Sequence, residues 1–173
     1  ICNDADNCTT YPCEYGISSC YNILPVGGGA YTLSRITLTE LVKSAESVDQ
    51  FLQELLPDCL EAVGNYMNER VKFLVERSGF FESSFLVREG LIEREKFVGM
   101  FGVTGLAECV NALMADTGDR YGHSEKADEL GLQIMEIIRK FAADFPAVYS
   151  EIGQGHFLLH AQVGLDRSEE HTS

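Results

Sequence analysis

Ser19-Cys20-Tyr21-Asn22-Ile23-Leu24-Pro25-Val26-Gly27-Gly28-Gly29-Ala30-Tyr31-Thr32-Leu33-Ser34-Arg35-Ile36-Thr37-Leu38 is the stretch that decides the fold. Residues 20–26 and 30–37 read as two extended segments joined by the run Gly27-Gly28-Gly29. In the second, Tyr31, Leu33 and Ile36 are interleaved with Thr32, Ser34 and Thr37, the β-branched and aromatic mix of a strand. The glycine run is followed neither by a Lys-Ser/Thr pair nor by a helix, so it is a turn that folds the chain back rather than a phosphate cradle.

Upstream, residues 1–19 are loop-like, with Cys2, Cys8 and Cys13 set among Asn, Asp, Thr, Pro and Gly. Downstream, Ser47 with Gln50 three positions on forms a capping box. Behind it Val48, Leu52, Leu55, Cys59, Val63, Met67, Val71 and Leu74 recur at helical spacing. Pro57 is expected to kink or split this helix, and Gly79 to end it. About thirty residues at 1.5 Å each give roughly 45 Å, a length that suits a large protein. Phe97–Val103 reads as a buried strand with glycines where another backbone comes close, running into a helix over Leu106–Met114. Ser124 is placed to cap a further helix to about Ala143, and Phe157–Val163 closes as an apolar strand. The order β-β-α-β-α-α-β belongs to an α/β architecture.

Composition narrows the class. The chain has 173 residues, 45% hydrophobic and 23% charged, as in one soluble globular domain. Its net charge of −14 and dispersed basic residues argue against nucleic acid, whose binding needs clustered Lys and Arg, and against an anionic membrane surface. Apolar runs such as Phe157–His160 fall far short of a spanning helix. The chain opens on Ile1 rather than Met, without a charged and then apolar leader. Residues 167–173, Arg-Ser-Glu-Glu-His-Thr-Ser, resemble one frame of a translated sequencing adapter and are set aside as a non-native tail. The expectation is a piece of a longer reading frame, cut on both sides.

Four cysteines in the first twenty residues need a chemical explanation. As zinc ligands, Cys2, Cys8, Cys13 and Cys20 would be separated by five, four and six residues, looser than the usual C-x₂₋₄-C knuckle. A disulfide framework has no secretory signal beside it. Cys59 and Cys109 fall on helix stripes as small buried hydrophobes. A cysteine nucleophile needs a base. The candidates are His123, a helix-boundary residue, His156, and His160, which sits in an apolar strand and reads as a satisfied core residue. A thiyl radical needs no base, only a loop that drives the sulfur into a closed, dry cavity.

The segment from Ser19 to Leu38 resembles the cysteine-loop region of glycyl radical enzymes, the superfamily of pyruvate formate-lyase and anaerobic ribonucleotide reductase. It is most similar to the reductase branch, where a Gly-Cys-Arg-Ser-Phe-Leu loop precedes an Asn-Leu-Pro-Arg-Ile strand. The long helix and the run Met-Phe-Gly-Val-Thr-Gly-Leu-Ala-Glu-Cys-Val-Asn, residues 100–111, are similar to that family's next helix and strand-to-helix step. Together with Leu158-Leu159-His160-Ala161-Gln162-Val163-Gly164, the match is nearest to the YjjI-type glycine radical enzymes and runs in order through residues 1–166.

The resemblance implies that Cys20 falls on the thiyl position, Arg35 on the arginine of the strand after the loop, and Glu108 on the glutamate of the strand-to-helix step. Tyr21 and Ser34 replace the reductase's arginine and proline, which speaks against ribonucleotide reduction itself. The implied fold is part of a ten-stranded α/β barrel. Residues 1–37 would supply the cysteine loop and β segments, 47–79 the long helix, and 97–166 a strand-helix-helix-strand unit. The radical would sit on a glycine beyond Gly164, with no cofactor or metal bound by these residues themselves. The implied partners are a small-molecule substrate and an activating enzyme that uses S-adenosylmethionine and an iron–sulfur cluster, in a cytoplasmic and oxygen-sensitive setting. The full-length enzyme would be a homodimer. The alternative is a cysteine-rich zinc-binding or interaction module without catalysis.

Overall fold

The computed structural model describes residues 14–17 and 23–160. Strand β1 (Tyr15–Ile17) pairs antiparallel with β2 (Ile23–Pro25), in the register Tyr15↔Pro25 and Ile17↔Ile23. A loop-like reading of residues 1–19 misses β1, because three residues centred on a glycine are too short to show alternation. The glycine run is a turn, as its sequence implied. Gly28 N–H donates to the Pro25 carbonyl at 3.0 Å, and Gly27 takes φ +81°, a left-handed conformation that favours glycine. Glu93 N–H donates to the Gly27 carbonyl at 2.7 Å, and Gly28 abuts the Lys96 backbone so closely that a Cβ would collide with it.

Beyond the turn, β3 (Gly29–Thr37), β4 (Phe97–Thr104) and β5 (Leu158–Leu159) form a parallel sheet in the order β3-β4-β5. Parallel neighbours need crossover connections, and helices supply them. From β3 the chain passes through α1 (Leu38–Leu41) into a continuous helical run: α2 (Val48–Gln50), a π-helical turn over Phe51–Leu55, α3 (Leu56–Lys72) and a second such turn over Phe73–Arg77. Ser47 caps it, its Oγ accepting from Gln50 N–H at 3.1 Å, while Gln50 Oε1 accepts from Glu46 N–H at 2.8 Å.

Pro57 does not split the helix. Leu56 N–H donates five residues back, to the Phe51 carbonyl, so a widened turn precedes the residue that has no N–H and a bulky ring. Gly79, at φ +67°, ends the run. Two short helices, α4 (Phe80–Ser83) and α5 (Phe85–Arg88), lead to β4. After β4 come α6 (Leu106–Leu113) and α7 (Glu125–Asp144). Ser124 stands at the N-cap position of α7, but its Oγ accepts no helix N–H; it is turned to Asp119 and donates to Oδ1 at 2.7 Å.

The helices bury one face of the sheet. Ile36, Phe101 and Phe157 join Leu56, Leu60 and Met67 of α3, Cys109 and Val110 of α6, and Ile134 and Ile138 of α7 in one core. A second cluster of Tyr31, Val71, Phe81 and Phe97 closes the amino end, with ring centroids 5.3–6.0 Å apart. Here burial pushes the Tyr31 phenol up to about 12, and its hydroxyl donates to the Arg94 carbonyl at 3.0 Å, so Tyr31 is a structural donor. Among the described residues the sheet has three strands and no barrel closes.

Gly99 decides how β5 meets β4. A Cβ there would lie 2.7 Å from the Phe157 ring and 3.4 Å from Met67 Cε. Gly99→Ala is expected to destabilise the full-length protein by about 1–3 kcal/mol through overpacking, read as a lower urea midpoint. An unchanged midpoint would mean that Phe157 can retreat at no cost.

Candidate functional site

Strand register sorts the other face of the sheet into rows. Leu33, Met100 and Leu158 share one, since Leu33 pairs with Met100 and Met100 with Leu158. Two residues further along, Arg35 pairs with Gly102, and His160 lies beside Gly102, its N–H donating to the Phe101 carbonyl at 2.7 Å. The last row pairs Thr37 with Thr104 at the carboxyl ends of the strands. Side chains two residues apart on a strand share a face. An apolar row thus lies next to a polar one, near the strand ends where α/β sheets bind ligands.

Gly102 lets His160 pack directly against β4 in this row. A Cβ there would lie 3.2 Å from the His160 carbonyl oxygen and 3.5 Å from both Cβ and Nδ1 of His160. Arg35, on the other side of Gly102, is exposed. His160 is only 8% exposed, and its Nδ1 is buried with no hydrogen-bond partner among the described residues. Burial first, and then the positive charge of Arg35, hold the imidazole below its ordinary value of 6.5.

His160 is therefore not the satisfied core histidine that its apolar neighbours suggested. The signal available was parity: Arg35, Gly102 and His160 fall on one face only once the register of three strands is known. Gly102 itself matches the expected glycine beside a close backbone. Glu108 is half-buried in the first turn of α6, just after the left-handed Gly105 that turns the chain out of β4. The structure thus brings Arg35 and His160 to one row and sets Glu108 on the helix that follows the middle strand.

Cys20 falls in residues 18–22, which connect β1 to β2 and lie outside the described residues, as do Cys2, Cys8 and Cys13. The tail over residues 167–173 lies outside them too. Cys109 is fully buried, its thiol pushed up to about 11 by desolvation, and half-buried Cys59 is raised for the same reason. Neither suits a thiolate nucleophile. His123 is exposed in the turn before α7. His156 Nδ1 is buried without a partner among the described residues, and its carbonyl accepts from Ser150 Oγ at 2.7 Å. No helix among the described residues is long and apolar enough to cross a membrane.

Residues 1–173 match the family model described as Glycyl radical enzyme YjjI-like. The chain belongs to the YjjI-like glycyl radical enzymes. It is 42% identical over 170 residues to an "Uncharacterized protein" of Haemophilus influenzae, covering 97% of this chain and 33% of that protein. It is 44% identical over 153 residues to the "Uncharacterized protein YjjI" of Escherichia coli, covering 87% of this chain and 29% of that protein. The chain thus spans about a third of the length of the curated relatives it matches.

The depressed His160 fixes a direction for acid stability. Below 6.5 the unfolded chain binds a proton that the folded site resists, so stability should fall as pH drops through that value. His160→Gln in the full-length protein is expected to flatten this fall, read from denaturant midpoints at about pH 7.5 and about pH 5.5. A slope equal to that of the unsubstituted protein would show that other groups set it.

Proposed function

We propose that this chain carries the hydrogen-atom-transfer cysteine of a glycyl radical enzyme acting on a small-molecule substrate, and that the cysteine is Cys20. The observation that carries this is positional. The family is shown, and Cys20 stands in the connection between paired strands that lead through a tight turn into β3. In the complete enzyme β3, β4 and β5 form part of the ten-stranded barrel, with the helices outside and the face of Arg35 and His160 inside.

A glycine-centred radical elsewhere in the full chain, formed by an activating enzyme that uses S-adenosylmethionine and an iron–sulfur cluster, supplies the hydrogen-atom acceptor. Cys20 gives it the thiol hydrogen atom. Its sulfur then takes one hydrogen atom from a substrate C–H bond and becomes a thiol again. Giving a hydrogen atom to the product-side radical regenerates the thiyl, which takes a hydrogen atom back from the glycine and so restores both the thiol and the glycine-centred radical. Each transfer breaks one X–H bond and forms another, so no electron or proton is left over. The protein's task is to position these groups and exclude water and oxygen. Arg35 and Glu108 take part from the strand and helix around the site.

Thiol hydrogens exchange with solvent, so the route through Cys20 has a readout that needs no known substrate. In the activated full-length enzyme in deuterium oxide, the α-hydrogen splitting of the glycine radical should collapse in the EPR spectrum as Cys20 passes deuterium to it. Cys20→Ala should still form the radical but keep the splitting and lose turnover. Exchange by the alanine variant at the unsubstituted rate would sink the assignment, and stoichiometric zinc lost with Cys20 would favour a metal-binding module. Air exposure of the activated enzyme is expected to cleave its backbone at one glycine, seen as two fragments by mass spectrometry. An unbroken chain counts against radical chemistry altogether.

A further inference from the structure

We infer that Arg35 and His160, standing on either side of the side-chain-free Gly102, form a seat for a substrate carboxylate. This rests on the reading of the barrel interior as the reaction chamber and adds the chemical class of what binds there. Three observations converge. His160 is more than nine-tenths buried, yet its Nδ1 has no hydrogen-bond partner among the described residues, a deficit that native structures rarely leave unexplained. Arg35 is exposed on the same row, close enough for its charge to act on the imidazole. Between them the middle strand carries no side chain, and His160 packs on Gly102 with Nδ1 3.5 Å and its carbonyl oxygen 3.2 Å from where a Cβ would stand.

Two inter-strand steps of about 4.8 Å separate the backbones that carry Arg35 and His160, a width that admits one planar group and its hydrogen bonds. Arg35 is the one cation in the three rows of this face, set beside neutral Leu33, Met100, Leu158, Thr37 and Thr104. A single guanidinium fork matches the charge and plane of one carboxylate, whereas a phosphate dianion calls for more donors. With its proton on Nδ1, neutral His160 donates to one carboxylate oxygen while Arg35 grips the other end. The row of Leu33, Met100 and Leu158 then lies beside the carbon skeleton, a mostly apolar lining with few polar contacts.

Calorimetric titration of the unactivated full-length enzyme with propionate, and with propionamide as its neutral isostere, tests this. Propionate should bind and propionamide should not. Arg35→Gln should weaken propionate by about 10- to 100-fold, the loss expected for a hydrogen-bonded charge. Arg35→Lys, which keeps the charge but not the fork, should fall between. His160→Gln and Gly102→Ala should each weaken binding as well, the latter by pressing a methyl group against His160 and displacing its imidazole. Arg35 is exposed among the described residues, and a denaturant midpoint equal to that of the unsubstituted enzyme shows for each replacement that the fold is intact, so these variants decide the matter. No propionate binding, equal binding of propionamide, or undiminished binding by Arg35→Gln overturns the carboxylate seat.

If Arg35→Gln leaves binding unchanged while Cys20→Ala blocks deuterium exchange, the seat fails and the radical role stands. If binding depends on Arg35 while Cys20→Ala exchanges normally, the thiyl assignment fails alone.

Discussion

The described fold depends on how residues 157–160 dock onto β4, and that docking depends on two glycines three positions apart. An odd spacing along a strand places Gly99 and Gly102 on opposite faces, and the same spacing separates Phe157 from His160. Phe157 fills the space beside Gly99 on the helix side, and His160 lies beside Gly102 on the other. One short strand is therefore locked against its neighbour from both sides at once. A parallel pair of only two residues would have little hold otherwise, because its ladder offers so few hydrogen bonds.

The rest of the chain reinforces that lock. Asn68 on α3 donates through Nδ2 to the Pro146 carbonyl and accepts at Oδ1 from Val148 N–H, both at 2.9 Å, tying the approach to β5 onto the long helix. Gly64, one turn earlier, lets the rings of Phe141 and Phe145 sit against α3, where a Cβ would approach them within 2.9 Å. Phe145 in turn stacks on Phe157 at 6.0 Å. The helix face is thus completed mostly by apolar contact, with Thr32 and Ser34 its polar members on β3, while Arg35 and His160 stand on the opposite face, outside that core.

Much of this was legible in the sequence because the long elements state their period plainly. The helical stripe from Val48, the buried run from Phe97 and the glycine turn before β3 all stand where their residues implied. What stayed hidden depends on partners far away in sequence. Pro57 is tolerated because hydrogen bonding upstream of it widens, a response that no local pattern announces. Ser124 turns its hydroxyl to Asp119 rather than to the N–H groups of the helix it precedes. That His160 Nδ1 lacks a partner among the described residues emerges only when β3, β4 and β5 are aligned, since its neighbours in sequence, Leu158 and Leu159, are those of an ordinary core strand. Family membership, by contrast, was carried by the order of motifs, which survives even where single motifs are weak.

The turn at Gly27–Gly28 links the two halves of the proposal. Its hydrogen bond closes between Pro25 and Gly28, so the chain before Pro25 and the chain after Gly28 leave it as the two arms of a reversal. The arm after the turn is β3, which carries Arg35 on the row shared with Gly102, and the arm before it is β2, which pairs with β1. Gly28 holds that turn against Lys96, the residue immediately before β4, so both arms are anchored to the strand that carries Gly102. A common anchor of this kind is the condition that close, repeatable positioning of reacting groups requires.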